Sequence, residues 1–122
     1  MGAQTAPLYA PSVGTEDAPT ISLQIEHSGG GAVVRVGGEL EFGTAASLRT
    51  ALIDLSQQGC DPLIVDLAGL EFIDSTGLSL LIQAKQRFES EGRYFALRRP
   101  THRVLRVLET SGIADLFSIQ TE

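Results

Sequence analysis

Residues 72–78, Phe-Ile-Asp-Ser-Thr-Gly-Leu, hold the side chains whose types and spacing could support chemistry. They set the carboxylate of Asp74 beside the hydroxyls of Ser75 and Thr76, between an apolar run and a helical pattern. Short side-chain oxygens at such a junction accept hydrogen bonds from the free N–H groups of a helix start. A hydroxyl there also lies at the positive end of the helix dipole, which favours an added phosphate. Two interpretations follow, a plain helix cap or a phosphorylation site at Ser75.

The sequence predicts no catalytic activity of its own. A hydrolase could combine Ser75 with His27 or His102, but the Gly-x-Ser-x-Gly elbow is absent and neither histidine is suitably placed. A receiver-like domain phosphorylated on Asp66 would need paired acids after the first strand and a lysine after a late one, and both are missing. The single cysteine, Cys60, and the lack of a metal or nucleotide motif predict no metal and no cofactor. We therefore expect a binding protein rather than an enzyme.

Composition limits the possible partners and the location of the chain. The 122 residues include 9 Lys and Arg against 15 Asp and Glu, which gives a net charge of −6. This balance argues against nucleic acid and anionic membrane surfaces, which need clustered positive charge, and is compatible with a basic protein partner. No apolar run approaches the roughly 20 residues of a membrane span, and the N-terminus lacks the regions of a signal peptide. We expect a soluble cytoplasmic protein.

Hydrophobic periodicity predicts one α/β domain behind an N-terminal tail. Residues 1–19, rich in proline and small residues, are expected to form a flexible tail, and residues 20–122 a single domain. The predicted strands cover residues 21–26, 32–36, 63–67, 94–97 and 116–119, and the predicted helices begin at Thr44, after the Asp74-Ser75 turn and at Thr101. The order β-β-α-β-α-β-α-β, a hairpin followed by helical crossovers, predicts a mixed sheet with helices on at least one face.

This topology predicts which polar residues meet at the end of the sheet. Right-handed crossovers would bring the loops after the second and third strands to the same end. The first loop, predicted at residues 37–43, contains Glu39 and Glu41, and the second contains Asp74 and Ser75. We therefore expect one rim that carries three carboxylates and a hydroxyl.

Three groups of residues, in this order along the chain, carry a family resemblance. They are residues 38–41 with Thr44-Ala45, residues 65–67 with 72–78, and residues 104–108 with 111–113 and Leu116-Phe117. Together they resemble the signature of STAS domains, and more narrowly that of bacterial anti-sigma factor antagonists. The resemblance covers roughly residues 20–120, and the fold that it implies agrees with the predicted element order.

The resemblance implies a switchable regulator of transcription. Proteins of this kind bind an anti-sigma factor that is also a serine kinase, and thereby free a sigma factor for RNA polymerase. The kinase phosphorylates one serine of the antagonist and releases it, and a metal-dependent serine phosphatase restores binding. Ser75 corresponds to that serine and Asp74 to the acid before it. Glu41 stands where the family often has Asp, which keeps the charge on a longer side chain.

The implied binding surface surrounds the proposed phosphorylation site. Its residues are Glu39, Glu41, Phe42, Asp74, Ser75, Thr76, Gly77 and Leu78. An alternative interpretation uses the same fold as a passive scaffold or as a regulator of another target, such as a transporter or a cyclase. In that case Ser75 is only a helix cap.

Overall fold

The computed structural model describes residues 18–122, so the predicted tail lies outside the described residues as far as Asp17. The predicted order of strands and helices is confirmed. The elements are β1 (Ile21–Ser28), β2 (Gly31–Leu40), α1 (Ala45–Gln57), β3 (Leu63–Ile73), α2 (Ser75–Ser90), β4 (Phe95–Arg98), α3 (His102–Thr110) and β5 (Ser118–Gln120). A short 3₁₀ turn, Ala114–Leu116, precedes β5.

The five strands form one mixed sheet in the order in which they occur in the chain. β1 is antiparallel to β2, and β2, β3, β4 and β5 are mutually parallel, with β3 in the centre as predicted. Because the three parallel crossovers run in the same direction, right-handed connections place all three helices on one face of the sheet. The core residues agree, since Val34, Val65 and Leu97, which lie side by side on β2, β3 and β4, join the buried residues of all three helices in a single cluster.

The helical spacing predicts Leu78, Leu81, Ile82 and Phe88 on the inner side of α2, and the observed apolar stripe is centred differently. Leu81 and Phe88 are buried as expected, but the residue beside Leu81 in the core is Leu80, while Leu78 and Ile82 are only half-buried. The buried positions, which also include Gly77 and Ala84, follow a spacing of three and four residues that points one side of α2 at the sheet. On α1, the predicted core residues Leu48, Leu52 and Leu55 are all buried.

β2 and β3 are longer than predicted. β2 was expected to end at Val36 and β3 at Leu67, but both continue to the end of the sheet. Gly37 and Gly38, expected in a loop, are part of β2, whose pairing with β3 shifts register on either side of them. Gly38 has a φ of +89°, and a Cβ added there would lie 2.4 Å from the carbonyl oxygen of Thr20. These glycines therefore allow a bulged strand to continue rather than ending it.

Two shorter segments also differ from their predictions. The first strand was predicted to end at Glu26, but β1 continues through His27, which is exposed, and the turn itself is Gly29-Gly30. The last strand begins at Ser118 rather than Leu116, because the 3₁₀ turn occupies the preceding residues. His102 lies at the exposed start of α3 as predicted, and Thr101 caps that helix by accepting from the N–H of Val104 at 3.2 Å.

The face of the sheet opposite the helices holds a buried carboxylate. Asp66 in β3 is 2% exposed and accepts hydrogen bonds from the N–H of Ala68 (2.9 Å), Nη2 of Arg99 (2.5 Å) and Nε of Arg98 (3.3 Å). Burial acts to raise the pKa of Asp66, but the N–H of Ala68 and the two guanidinium groups outweigh it and hold this pKa below its usual range. With both oxygens engaged and no exposure to solvent, Asp66 is not placed to accept phosphate as a receiver aspartate would.

Replacing this carboxylate should destabilise the fold in a pH-dependent way. We expect Asp66→Asn to lower the free energy of unfolding at pH 7 by about 1.5–3 kcal/mol, because hydrogen bonds to two cations are weakened. Since the folded-state pKa lies below the ordinary value of about 3.9, the contribution is complete above roughly pH 4 and is lost as the pH falls through the folded pKa. The difference in the free energy of unfolding between wild type and Asp66→Asn, measured by urea unfolding, should therefore become smaller below pH 4.

Glu26→Gln is the matched control for this experiment. Glu26 lies on the same face, paired with Arg35 at 2.7 Å, but its side chain is 59% exposed. An exposed pair contributes little to stability, so this variant should unfold close to wild type at pH 7. Equal stability of Asp66→Asn and wild type would contradict the importance of the buried carboxylate.

Candidate functional site

The parallel strands β2 and β3 end side by side and bring two loops together, as predicted. Leu40 and Ile73 are partners in the last register position of the pair. The N–H of Asp74, the next residue after β3, donates to the carbonyl oxygen of Leu40 at 3.2 Å. The start of α2 is therefore attached directly to the point where the β2–α1 loop begins. We call this end of the sheet, residues 39–44 with 74–78, the rim.

Asp74 is the residue that joins the two parts of the rim. Its Oδ1 accepts from the N–H of Gly77 at 3.0 Å, which caps α2, and its Oδ2 accepts from the N–H of Phe42 at 3.1 Å. Asp74 is thus the N-cap and Ser75 is the first residue of the helix. The alternative interpretation, in which Ser75 serves as the cap, is wrong on this point.

Ser75 is exposed at the first position of α2, where the helix dipole is positive. Its hydroxyl makes no hydrogen bond to any residue from 18 to 122, so no described side chain acts on it as a general base. Thr76 is half-buried, as expected for the poorer acceptor of the two hydroxyls. The site can therefore present a hydroxyl to the active site of another protein.

Gly77 allows the helix to start this close to the strand ends. It is buried, and a Cβ added to it would lie 2.8 Å from Leu40 Cγ, from Ile73 Cγ1 and from the carbonyl oxygen of Leu40. Backbone and core side chains cannot yield much at such distances, so a larger residue would push α2 outward. Leu78 follows, half-buried against the core. Gly77 and Leu78 thus set the position of α2, while Ser75 remains free.

The β2–α1 loop is held by the side chains of Thr44 and Glu41. The hydroxyl of Thr44 accepts from the N–H of Glu41 (3.0 Å) and donates to the carbonyl oxygen of Glu39 (2.6 Å). Thr44, predicted to cap α1, occupies the N-cap position but makes no side-chain cap bond. Glu41 Oε1 accepts from the N–H of Gly43 at 2.5 Å. The loop closed in this way leaves the side chain of Phe42 83% exposed.

The three predicted carboxylates do not all reach Ser75. Glu39 is paired with Phe72 within the sheet, and its Oε1 accepts from the N–H of Thr20 at 3.0 Å, beside β1. The carboxylate of Glu41 is turned onto its own loop. Asp74 is the acid of the three whose side chain contacts α2. The rim therefore combines one capping carboxylate, one exposed hydroxyl and one exposed aromatic ring.

A mixed sheet in sequential order, with three helices on one face and a serine at the start of α2, is the architecture of a small class of α/β domains. The family model of the STAS domain matches residues 22–122. The chain belongs to the STAS domain family.

Several similar proteins are described as anti-sigma factor antagonists. The anti-sigma-B factor antagonist of Bacillus subtilis is 26% identical over 102 residues, which cover 84% of this chain and 93% of that protein. The crystal structure of an anti-sigma factor antagonist from Mycobacterium paratuberculosis superposes with a TM-score of 0.77 at 25% identity, covering 84% of this chain and 87% of that one.

A third relative is known in two modification states. The Bacillus antagonist SpoIIAA matches in its unphosphorylated form with a TM-score of 0.71 at 24% identity, covering 83% of this chain and 90% of that one. Its phosphorylated form matches with a TM-score of 0.65 at 23% identity, and the match covers 83% of this chain and 93% of that one. Among the helices described for this chain, none has the length and apolar character to cross a membrane.

The capping assignment can be tested with two neighbouring alanine variants. Asp74→Ala should lower the free energy of unfolding by about 0.5–2 kcal/mol, because the cap of α2 and the bond to the Phe42 N–H are both lost. Ser75→Ala should change it by no more than about 0.5 kcal/mol, because that hydroxyl supports nothing in the fold. Urea unfolding of both variants beside wild type gives the comparison. A larger loss for Ser75→Ala than for Asp74→Ala would reverse the assignment.

Proposed function

We propose that this chain is an anti-sigma factor antagonist controlled by phosphorylation of Ser75. It binds an anti-sigma factor that is also a serine kinase and so frees a sigma factor. Phosphate transferred to Ser75 by that kinase ends the interaction, and a serine phosphatase restores it. The observation that carries this proposal is the exposed hydroxyl of Ser75, which makes no hydrogen bond within residues 18–122, next to a carboxylate that already caps the helix. The names of the relatives support the general role.

The rim offers the partner a rigid and partly apolar contact. Phe42 is a large aromatic side chain on a loop whose backbone N–H groups donate to the side chains of Asp74, Glu41 and Thr44. A ring carried on a fixed backbone loses less entropy on binding than one on a mobile loop, and it suits an apolar pocket of a partner, as aromatic hot spots do. Ser75 directly follows Asp74, whose carboxylate accepts from the Phe42 N–H, so we expect a protein that binds Phe42 to reach the hydroxyl as well. Glu41, Thr76 and Leu78 complete the proposed contact.

Phosphorylation would act on the interface through charge. A phosphate adds about −1.5 to −2 charge at neutral pH, directly after the carboxylate of Asp74. The positive end of α2 offsets part of this charge, and Asp74 continues to cap the helix. Because the Ser75 hydroxyl is exposed and makes no hydrogen bond to the described part of the chain, the fold should tolerate the added group. The cost then falls on the complex, where the phosphate would be desolvated next to a like charge.

The switch can be tested with two Ser75 variants and the anti-sigma factor kinases of the source genome. Ser75→Ala should bind the cognate kinase as wild type does and accept no phosphate. Ser75→Asp should bind on the order of a hundredfold more weakly, because it brings a second acid into a desolvated contact. Calorimetry gives the affinities, and mass spectrometry after incubation with ATP locates the phosphate.

Ser79→Asp is the matched charge control. Ser79 is exposed one turn further along α2, so this variant has the same net charge as Ser75→Asp without altering the rim. Its affinity should stay near that of wild type. Unchanged binding by Ser75→Asp, with phosphate found on Thr76 or elsewhere, would favour the passive scaffold instead.

Phe42→Ala should weaken binding without weakening the fold. The ring is 83% exposed, so its loss should leave the melting temperature nearly unchanged. The dissociation constant should rise by roughly thirtyfold or more if Phe42 is a hot spot. Tyr94→Ala is the control, because Tyr94 is 47% exposed at the opposite end of the sheet, where its carbonyl accepts from the N–H that begins β3. Equal effects of the two variants would contradict the role of Phe42.

A further inference from the structure

A cleft lined by several polar side chains lies on the helix-free face of the sheet, away from Ser75. Its volume is about 260 Å³. Ser22, Gln24, Arg35, Gly37, Asp66 and Arg99 contribute to its lining. The register explains why they meet: Ser22 pairs with Gly37, Gln24 with Arg35, and Arg35 with Asp66 across three adjacent strands, so their side chains share one face. The function proposed above uses none of these residues.

Two guanidinium groups of the cleft retain free donors. Arg35 uses Nη1 for Glu26 at 2.7 Å, in a pair whose side chains are 37% and 59% exposed. Such an exposed pair is weak, so Arg35 can turn to a ligand at little cost. Arg99 uses Nη2 for Asp66, and its side chain is 44% exposed. A guanidinium has five N–H donors in a planar fork that suits oxyanions.

The charges around the cleft favour an anion. Arg35 balances Glu26, while Arg98 and Arg99 together outnumber Asp66, so these five side chains carry one net positive charge. The chain as a whole carries −6, so this positive group is local. Both oxygens of Asp66 are already engaged by donors, which limits its repulsion of a ligand.

The backbone of the cleft contains an unusual conformation that holds one of these cations. Arg99 has a φ of +50°, in the left-handed region that residues other than glycine seldom adopt. Its N–H donates to the carbonyl oxygen of Gln120 at 2.7 Å, which fixes that geometry. Strained conformations of this kind persist where the surrounding structure imposes them and are concentrated at functional sites.

Gly37 keeps the opposite side of the cleft open. A Cβ added to Gly37 would lie 2.7 Å from the hydroxyl oxygen of Ser22. Because Gly37 has no side chain, the hydroxyl of Ser22 remains beside the cleft together with the amide of Gln24. These neutral donors complement the two guanidinium groups.

We propose that this cleft binds one small tetrahedral oxyanion, of the size and charge of inorganic phosphate. Arg35 and Arg99 hold it from two sides, and Ser22 and Gln24 donate further hydrogen bonds. Charge-assisted bonds from two guanidinium groups supply most of the attraction. The proposal is independent of Ser75 and of any partner protein.

Titration of the ¹⁵N-labelled full chain with inorganic phosphate tests this site, with sodium chloride added to keep the ionic strength constant. Saturable amide shifts around Gln24, Arg35 and Arg99 are expected, with a dissociation constant on the order of 1 mM. Sulfate should cause similar shifts. A parallel titration with acetate should shift these amides much less, since a singly charged carboxylate has only two oxygens and can engage one guanidinium fork but not both.

Arg99→Gly removes the guanidinium while accepting the backbone conformation, because glycine adopts a positive φ without strain. This variant and Arg35→Gln, which alters a regular strand position, should each weaken phosphate binding by at least about tenfold. Arg103→Gln is the control, because it removes the same charge from the exposed side of α3 and should leave binding unchanged.

The proposal is overturned if the shifts do not saturate up to about 20 mM phosphate, well above the expected dissociation constant. It is also overturned if both cleft variants bind phosphate with wild-type affinity, or if the amide shifts are confined to the N-terminus of α2. The melting temperature of each variant is measured alongside. If Arg99→Gly proves unstable, Arg35→Gln decides the outcome alone.

Discussion

One carboxylate group holds the rim together. The two oxygens of Asp74 accept from the N–H of Gly77 and from the N–H of Phe42, so a single side chain caps α2 and fixes the β2–α1 loop. The arrangement also requires Gly77 to lack a side chain, because the helix start lies directly against Leu40 and Ile73. The positions of the exposed ring and of the start of α2 are therefore not independent of each other.

This division of roles separates stability from the proposed regulation. The cap belongs to Asp74 and the close contact to Gly77, which leaves Ser75 without a structural task although it lies between them in the sequence. A group added to Ser75 removes no internal hydrogen bond, so its effect is expected on the surface that a partner would meet. A regulated residue that supported the fold would instead couple every modification to unfolding.

Local pattern predicted every strand and helix of the domain, because the period of the apolar residues fixes which side of each element faces the core. Prediction from local pattern failed where the conformation of a segment depends on another segment that packs beside it only in the folded domain. Gly37 and Gly38 favour a turn on their own and remain in β2 only because β3 continues to pair beside them. The sequence also marked a helix start at residues 74–76 without deciding which oxygen caps it. The hydroxyl of Thr44 closes a loop instead of capping α1, since the carbonyl of Glu39 lies within reach only after folding.

The strand order has a consequence for assembly on the ribosome. Every strand pairs with the one immediately before it in the chain, from the β1–β2 hairpin to β5. Each addition to the sheet therefore needs only residues that have already been synthesised, and the growing edge is always the most recent strand. Domains of larger proteins tend to fold from the N-terminus as they emerge. In this chain the same N-terminal to C-terminal order can apply within one domain, because every strand can pair with the strand synthesised just before it.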